Sequence, residues 1–124
     1  MQNLSVLIVD DERQITDLIA SVLDDFGYQT ACLHDGAAAI ELLKTKHYDV
    51  LICDLHMPGT NGRDVLEWVH LNRSRIRLLL LSGDVVRKET SEFARICGAH
   101  FLSKPFSISE LVTALQNLSS SEVR

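Results

Sequence analysis

The sequence has few cysteines, few prolines and little positive charge, and each shortage narrows its function. Its three cysteines, Cys32, Cys53 and Cys97, are an odd number with no C-x-x-C spacing, so neither a disulfide framework nor a zinc ribbon is indicated. Each lies beside apolar residues and reads as a small buried hydrophobe. Two prolines and six glycines in 124 residues leave no low-complexity tract, repeat or linker. Lysine and arginine number 12 against 17 acidic residues, a net charge of −5, which argues against a dedicated nucleic-acid surface. The cluster Arg73, Arg75 and Arg77 reads as a solvated loop. No apolar run approaches the ~18 residues that span a bilayer, since Arg77 interrupts the longest. The start, Met1-Gln2-Asn3-Leu4, lacks the basic region of a secretory signal. A cytoplasmic chain without membrane contact is expected.

Motifs are missing too. There is no G-x-x-x-x-G-K-[ST] phosphate loop, no G-x-G-x-x-G after the first strand and no G-x-S-x-G elbow. What remains is 46% hydrophobic and 23% charged, which excludes a disordered acidic tail. The length suits one domain over 1–124, with a core at 4–118 and a frayed tail at 119–124.

Five apolar runs, at 5–9, 28–33, 50–53, 77–81 and 100–102, alternate with helical patterns. Val6-Leu7-Ile8-Val9 and Leu78 to Leu81 are continuously apolar, as strands covered on both faces are. Ile15, Leu18, Ile19, Val22, Leu23 and Phe26 recur at helical spacing, and Gly27 stands where a C-cap glycine belongs. Further helical patterns run over 37–46, 63–70 and 88–97. A fifth opens with Ser107 and Glu110 at capping-box spacing and continues through Ile108, Leu111, Val112, Leu115 and Leu118. Trp68 reads as a packing residue. Strict alternation predicts parallel strands with right-handed crossovers: an α/β, doubly wound, five-stranded sheet of order 2-1-3-4-5, flavodoxin-like.

Ligands of such sheets bind outside the carboxyl ends of the strands. Those ends carry Asp10-Asp11-Glu12, Asp54, Ser82-Gly83-Asp84 and Ser103-Lys104-Pro105. They would bring Asp10, Asp11, Asp54, Ser82 and Lys104 into one pocket. Carboxylates so placed repel one another unless a cation intervenes, and hard oxygen ligands suit Mg²⁺. A carboxylate beside a divalent ion, a lysine and a hydroxyl is equipped to accept a phosphoryl group. The plainer readings are that Asp10 or Asp11 caps the first helix, that Asp54 is a solvated loop residue and that Lys104 is an exposed charge. His56 has no histidine partner in the pocket, because His34, His47, His70 and His100 fall elsewhere, so it belongs to the rim.

Leu7-Ile8-Val9-Asp10-Asp11-Glu12, Asp54-Leu55-His56-Met57-Pro58-Gly59, Leu81-Ser82-Gly83 and Lys104-Pro105-Phe106 together resemble the receiver domain of two-component response regulators. The resemblance covers residues 4–118. It implies that Asp54 is the phosphoacceptor. Asp11 would hold Mg²⁺ directly, Asp10 mainly through water, and the backbone carbonyl of His56 would complete the protein's share. Lys104 would pair with Asp54 and the phosphoryl group, and a cis bond would precede Pro105. Ser82 would move to the phosphoryl oxygen while Phe101 turns inward. His56 and Asp84, each two residues beyond a pocket residue, would sit at the mouth and tune phosphoryl lifetime. A protonated His56 facing Asp84 would narrow that mouth.

Family members usually carry alanine where Gly83 stands, and the stretch 81–90 resembles receivers fused to hybrid sensor histidine kinases. The implied partners are a histidine kinase or histidine phosphotransferase as donor, and a downstream protein on the surface of the fourth helix, fifth strand and fifth helix. Turnover of a small molecule is not expected beyond self-phosphorylation and self-dephosphorylation. Two other readings compete. One is a pseudo-receiver that binds partners without phosphate. The other is an aspartyl-phosphate hydrolase, which would need an aspartate where His56 stands.

Overall fold

Residues 4–73, 75–83 and 86–120 are described by a computed structural model. The chain alternates β1 (Ser5–Val9), α1 (Arg13–Asp25), β2 (Gln29–Leu33), α2 (Gly36–Thr45), β3 (Val50–Asp54), α3 (Gly62–Asn72), β4 (Arg77–Ser82), α4 (Lys88–Ile96), β5 (His100–Ser103) and α5 (Ile108–Ser120). All strand pairs are parallel, in the order β2-β1-β3-β4-β5. This is the doubly wound sheet that the alternation predicts. No described helix is long and apolar enough to cross a membrane.

The continuous apolar strands make sense once both faces are covered, because successive side chains point opposite ways. Leu7, Val9, Leu51, Cys53, Leu78 and Leu80 meet Ala39, Leu43, Val65, Leu66, Val69 and Ala94 of α2, α3 and α4. Val6, Ile8, Ile52, Leu79 and Leu81 meet Ile19, Val22 and Leu23 of α1 and Leu111, Leu115 and Leu118 of α5. Burying a leucine-sized side chain contributes about 1.5–3 kcal/mol, so this double core is the main support of the fold.

Local chemistry sets the helix ends. Asp35 accepts the Ala38 amide at 2.7 Å and starts α2. Asn61 and Asp64 form a reciprocal capping box at α3. Ser107 and Glu110 bond each other's amides at 2.8 and 3.0 Å, as their spacing predicts. Gly27 ends α1 at φ 88°, a left-handed conformation glycine takes without steric penalty.

The apolar stripes are narrower than their periodicity suggests. Phe26 is the C-cap of α1 and 48% exposed, and Ile108 at the start of α5 is 55% exposed. Each sits at a helix end, where the face turns away from the sheet. Cys32 and Cys97 are only partly buried, whereas Cys53 is fully enclosed and burial pushes its thiol pKa far up. The arginine cluster is not one solvated loop. Arg77 lies on β4, and the Arg73 guanidinium stacks 5.4 Å from the Trp68 ring centre and donates to the Lys44 carbonyl. Of the tail expected to fray, 119 and 120 belong to α5, which runs on through Ser120, and 121–124 lie outside the described residues.

Candidate functional site

Parallel pairing puts the carboxyl ends of β1, β3, β4 and β5 side by side. Asp54 ends β3, Ser82 ends β4 opposite Ser103, and the Lys104 amide donates to the Ser82 carbonyl at 2.9 Å. Asp10 follows β1, its amide donating to the Leu33 carbonyl at 3.2 Å. Ladder bonds therefore extend one residue past the strands and hold the backbones of Asp10 and Lys104 in place.

These side chains converge. One oxygen each from Asp10, Asp11 and Asp54 lies within 4.8 Å of the others, a donor set suited to a hard cation. Asp10 is completely buried, Asp54 is buried and Asp11 is exposed. The Lys104 ammonium sits 2.7 Å from Asp10 Oδ2, 3.1 Å from Glu12 Oε1 and 3.5 Å from Asp54 Oδ2. Asp54 Oδ1 accepts the His56 amide at 3.3 Å, and Asp10 Oδ1 accepts the Glu12 amide at 2.9 Å.

Neither Asp10 nor Asp11 caps α1. The N-cap position belongs to Glu12, which makes no side-chain cap bond. The solvated-loop reading of Asp54 and the exposed-charge reading of Lys104 fail as well, because Asp54 is buried and only 15% of the Lys104 side chain is exposed.

Electrostatics follow from this crowding. Burial raises the Asp10 carboxyl pKa, opposed by Lys104 and the Glu12 amide. Burial likewise raises Asp54, and the neighbouring Asp10 charge raises it further, against the pull of Lys104. For Lys104, burial works against the charge, but Asp10, Glu12 and Asp54 together outweigh it and hold the ammonium above its usual range. Two buried carboxylates with one lysine leave an excess of negative charge, the condition a divalent cation relieves.

Ser82 is buried, with its hydroxyl 3.4 Å from His56 Nε2. Phe101 is 40% exposed and shares with Ser82, Val86, Ser91 and Leu102 a cavity of about 150 Å³. The Lys104–Pro105 bond is cis, as the resemblance implies. His56 is exposed, and among the described residues no histidine joins the acidic cluster. His34 contacts Thr16 at 3.2 Å, His47 contacts Asp49 at 3.3 Å and His70 packs on Phe93. Asp84 lies outside the described residues, so its place at the mouth rests on the resemblance alone.

Two residues of the site were not singled out from the sequence. Glu12 turns back onto Lys104. Gly62 packs so closely on β3 that any side chain there would collide with the Asp54 carbonyl. A glycine at the start of a helix, directly after its capping residue, was the available signal.

Comparisons with known proteins agree with this geometry. A family profile described as response regulator receiver domain matches residues 6–116. The transcriptional regulatory protein CutR of Streptomyces coelicolor is 34% identical over 117 residues, which are 93% of this chain and 53% of CutR. The response regulator SaeR of Staphylococcus aureus is 30% identical over 91% of this chain and 49% of its own length. The chain thus spans about half the length of these curated relatives. Among solved structures, the chemotaxis protein CheY4 of Vibrio cholerae superposes with a TM-score of 0.83 at 28% identity, over 94% of this chain and 98% of its own. The receiver domain of a Syntrophus aciditrophicus signal transduction histidine kinase gives 0.81 at 26% identity, over 98% and 93%.

Proposed function

Because the chain belongs to the response regulator receiver domain family, a signalling family whose members bind Mg²⁺ at an acidic pocket, we propose that Asp54 is its phosphoacceptor. The observation that carries this reading is the convergence of buried Asp10, buried Asp54 and Lys104 at the carboxyl edge of the sheet. A carboxylate oxygen of Asp54 forms a bond to phosphorus as the P–N bond of a donor phosphohistidine breaks, and the electron pair returns to the imidazole. The donor is a histidine kinase or a histidine phosphotransferase.

Asp10, Asp11 and Asp54, with the His56 carbonyl, would hold Mg²⁺. The ion's chemistry when bound is to neutralise charge on the transferring phosphoryl oxygens. Lys104 supplies a second positive charge on the same side. Ser82 then donates its hydroxyl to a phosphoryl oxygen, and Phe101 turns into the cavity beside it. The face of α4, β5 and α5 changes shape for a downstream protein, a population shift driven by a contact that exists in one state only. Residues 4–118 act as one switching unit in the cytoplasm, and the only turnover is gain and loss of the unit's own phosphoryl group.

The test is labelling with an acyl-phosphate donor in Mg²⁺, read by intact mass. One phosphoryl group is expected on the wild type and none on Asp54→Asn. Equal labelling of the two proteins would overturn the assignment.

A further inference from the structure

Helix α4 has the smallest buried face of the five helices: only Ala94 is fully covered, and Ile96 is 72% exposed. Its first turn does not close on the sheet either. A cavity of about 410 Å³, lined by Leu55, His56, Arg63, Val86 and Thr90 among others, opens between that turn and the β3–α3 connection. Apolar packing is therefore a weak account of what holds this helix in place.

A different contact spans the gap. The Arg63 guanidinium on α3 lies 4.8 Å from the centre of the Phe93 ring, within cation–π range. Its Nη1 donates to Thr90 Oγ1 at 3.2 Å, and its Nε donates to Glu67 Oε2 at 3.0 Å. Thr90 and Phe93 are three residues apart and so face the same way on α4. The His70 ring meets Phe93 edge-on at 5.4 Å. One arginine, braced by its own helix, grips two positions on the next.

The root of that arginine is close to the phosphoacceptor. Arg63 follows Gly62, whose backbone rests on the Asp54 carbonyl and whose amide donates to the Leu55 carbonyl at 3.3 Å. The route from Asp54 to α4 through Gly62 and Arg63 is short and does not pass through Ser82 or Phe101.

We infer that Arg63 is a positioning residue that fixes α4 against α3, and that its grip sets how readily α4 shifts when Asp54 is phosphorylated. The second half rests on the phosphoacceptor reading; the first does not. Planar stacking and a directed N–H bond together suit arginine, whereas methionine keeps the length without either.

Hydrogen exchange on the unphosphorylated full chain tests the first half. In Arg63→Met, α4 amides should exchange roughly tenfold faster, equivalent to about 1.4 kcal/mol, while amides of β1, β3 and β4 keep their wild-type rates. Phe93→Leu should produce the same pattern, and combining the two should add little. Unchanged α4 exchange, or equal acceleration in the sheet, would overturn the inference. Titration with beryllofluoride, a phosphoryl mimic, tests the second half by the response of α4 amide signals. Arg63→Met should respond at a several-fold lower mimic concentration than wild type. A wild type that never responds would sink the phosphoacceptor reading, and a responding pair with identical midpoints would sink the role of Arg63 in switching.

Discussion

Lys104 Nζ lies 2.7 Å from Asp10 and 3.5 Å from Asp54, so the lysine is first the partner of Asp10. Asp10 has no exposure at all, and its charge is tolerable only because this cation stands beside it. Lys104→Met should therefore cost about 3–5 kcal/mol, the usual penalty for stranding one member of a buried pair. Adding Asp10→Asn should recover much of that loss, and urea denaturation of the single and double variants measures it. A double variant no more stable than Lys104→Met would show that Asp10 is not the stranded charge. The pH dependence has a definite sign. A lysine whose folded pKa is raised contributes its stability fully below its ordinary pKa of about 10.4, and that contribution is lost as pH rises through the folded value.

Much of this pairing was legible in the sequence, for a simple reason. Alternating strands and helices fix a parallel sheet, and the residue after each strand must then lie on one edge. Asp10, Asp54, Ser82 and Lys104 can be assembled that way from the sequence alone. Glu12 cannot, because it lies three residues beyond β1, where strand alternation no longer says which way a side chain turns. Arg63 was hidden for a similar reason, since its partners Thr90 and Phe93 belong to another helix. Periodicity named the faces of α1 and α5 but not where each face ends. Ile108 therefore reads as core and stands half in solvent, while Phe26, by its pattern a core or partly exposed packing residue, proves to be partly exposed.

Asp54 bears an excess of negative surroundings, and neutralising it should stabilise the fold. Burial and the Asp10 charge raise its pKa, so the unfolded chain gives up this proton at lower pH than the folded one. Stability linked to Asp54 is highest below about pH 3.9 and declines as pH rises through the folded pKa. In Mg²⁺-free buffer at neutral pH, Asp54→Asn should melt higher than wild type by about 4 °C, corresponding to about 1 kcal/mol. Added Mg²⁺ should raise the wild-type midpoint and narrow that difference. Thermal melts with and without Mg²⁺ decide it, and a lower-melting Asp54→Asn would contradict the crowding described here.

At the opposite end of the sheet the sign reverses. Asp49 Oδ2 accepts the Ser5 amide at 2.9 Å and its hydroxyl at 3.2 Å, while the Asp49 amide and carbonyl bond Ser5 and Arg77. The Ser5 amide, against some burial, holds the Asp49 carboxyl below its usual range, with help from His47. The stability it contributes is complete above about pH 3.9 and lost as pH falls through the lower folded pKa. Because the group is about one-third exposed, solvent screening limits the effect to about 0.5–1 kcal/mol. Asp49→Asn should be destabilised by that amount at pH 7, and the gap should close in acid. A gap that persists at pH 2 would assign the loss to packing instead.

Ser82 should separate phosphorylation from its consequence. It is buried at the end of β4 and lines a cavity with Phe101, and under the proposed function it would report phosphate at Asp54 to the aromatic ring. Ser82→Ala keeps Asp10, Asp54 and Lys104 and should still be labelled. Amide NMR shifts around Phe101 on adding beryllofluoride should shrink to a small fraction of the wild-type response. Full-sized shifts in Ser82→Ala would place the coupling elsewhere.

The lifetime of the phosphoryl group should depend on His56. Its amide already binds Asp54 Oδ1 at 3.3 Å, and its ring reaches back to within 3.4 Å of Ser82 Oγ. The imidazole is exposed and stands beside Asp54, between the ends of β3 and β4. Water attacking an acyl phosphate must arrive in line with the bond to Asp54, and a ring held at the mouth obstructs it. His56→Ala removes the ring but keeps the backbone amide that donates to Asp54, so labelling should persist. Decay of the labelled protein, followed by intact mass, should then be roughly threefold faster, a barrier change of about 0.65 kcal/mol. His56→Gln, which keeps bulk and a bond to Ser82, should fall between the two. Slower decay in His56→Ala would mean that the imidazole directs the attacking water, and the obstruction argument would have to be abandoned.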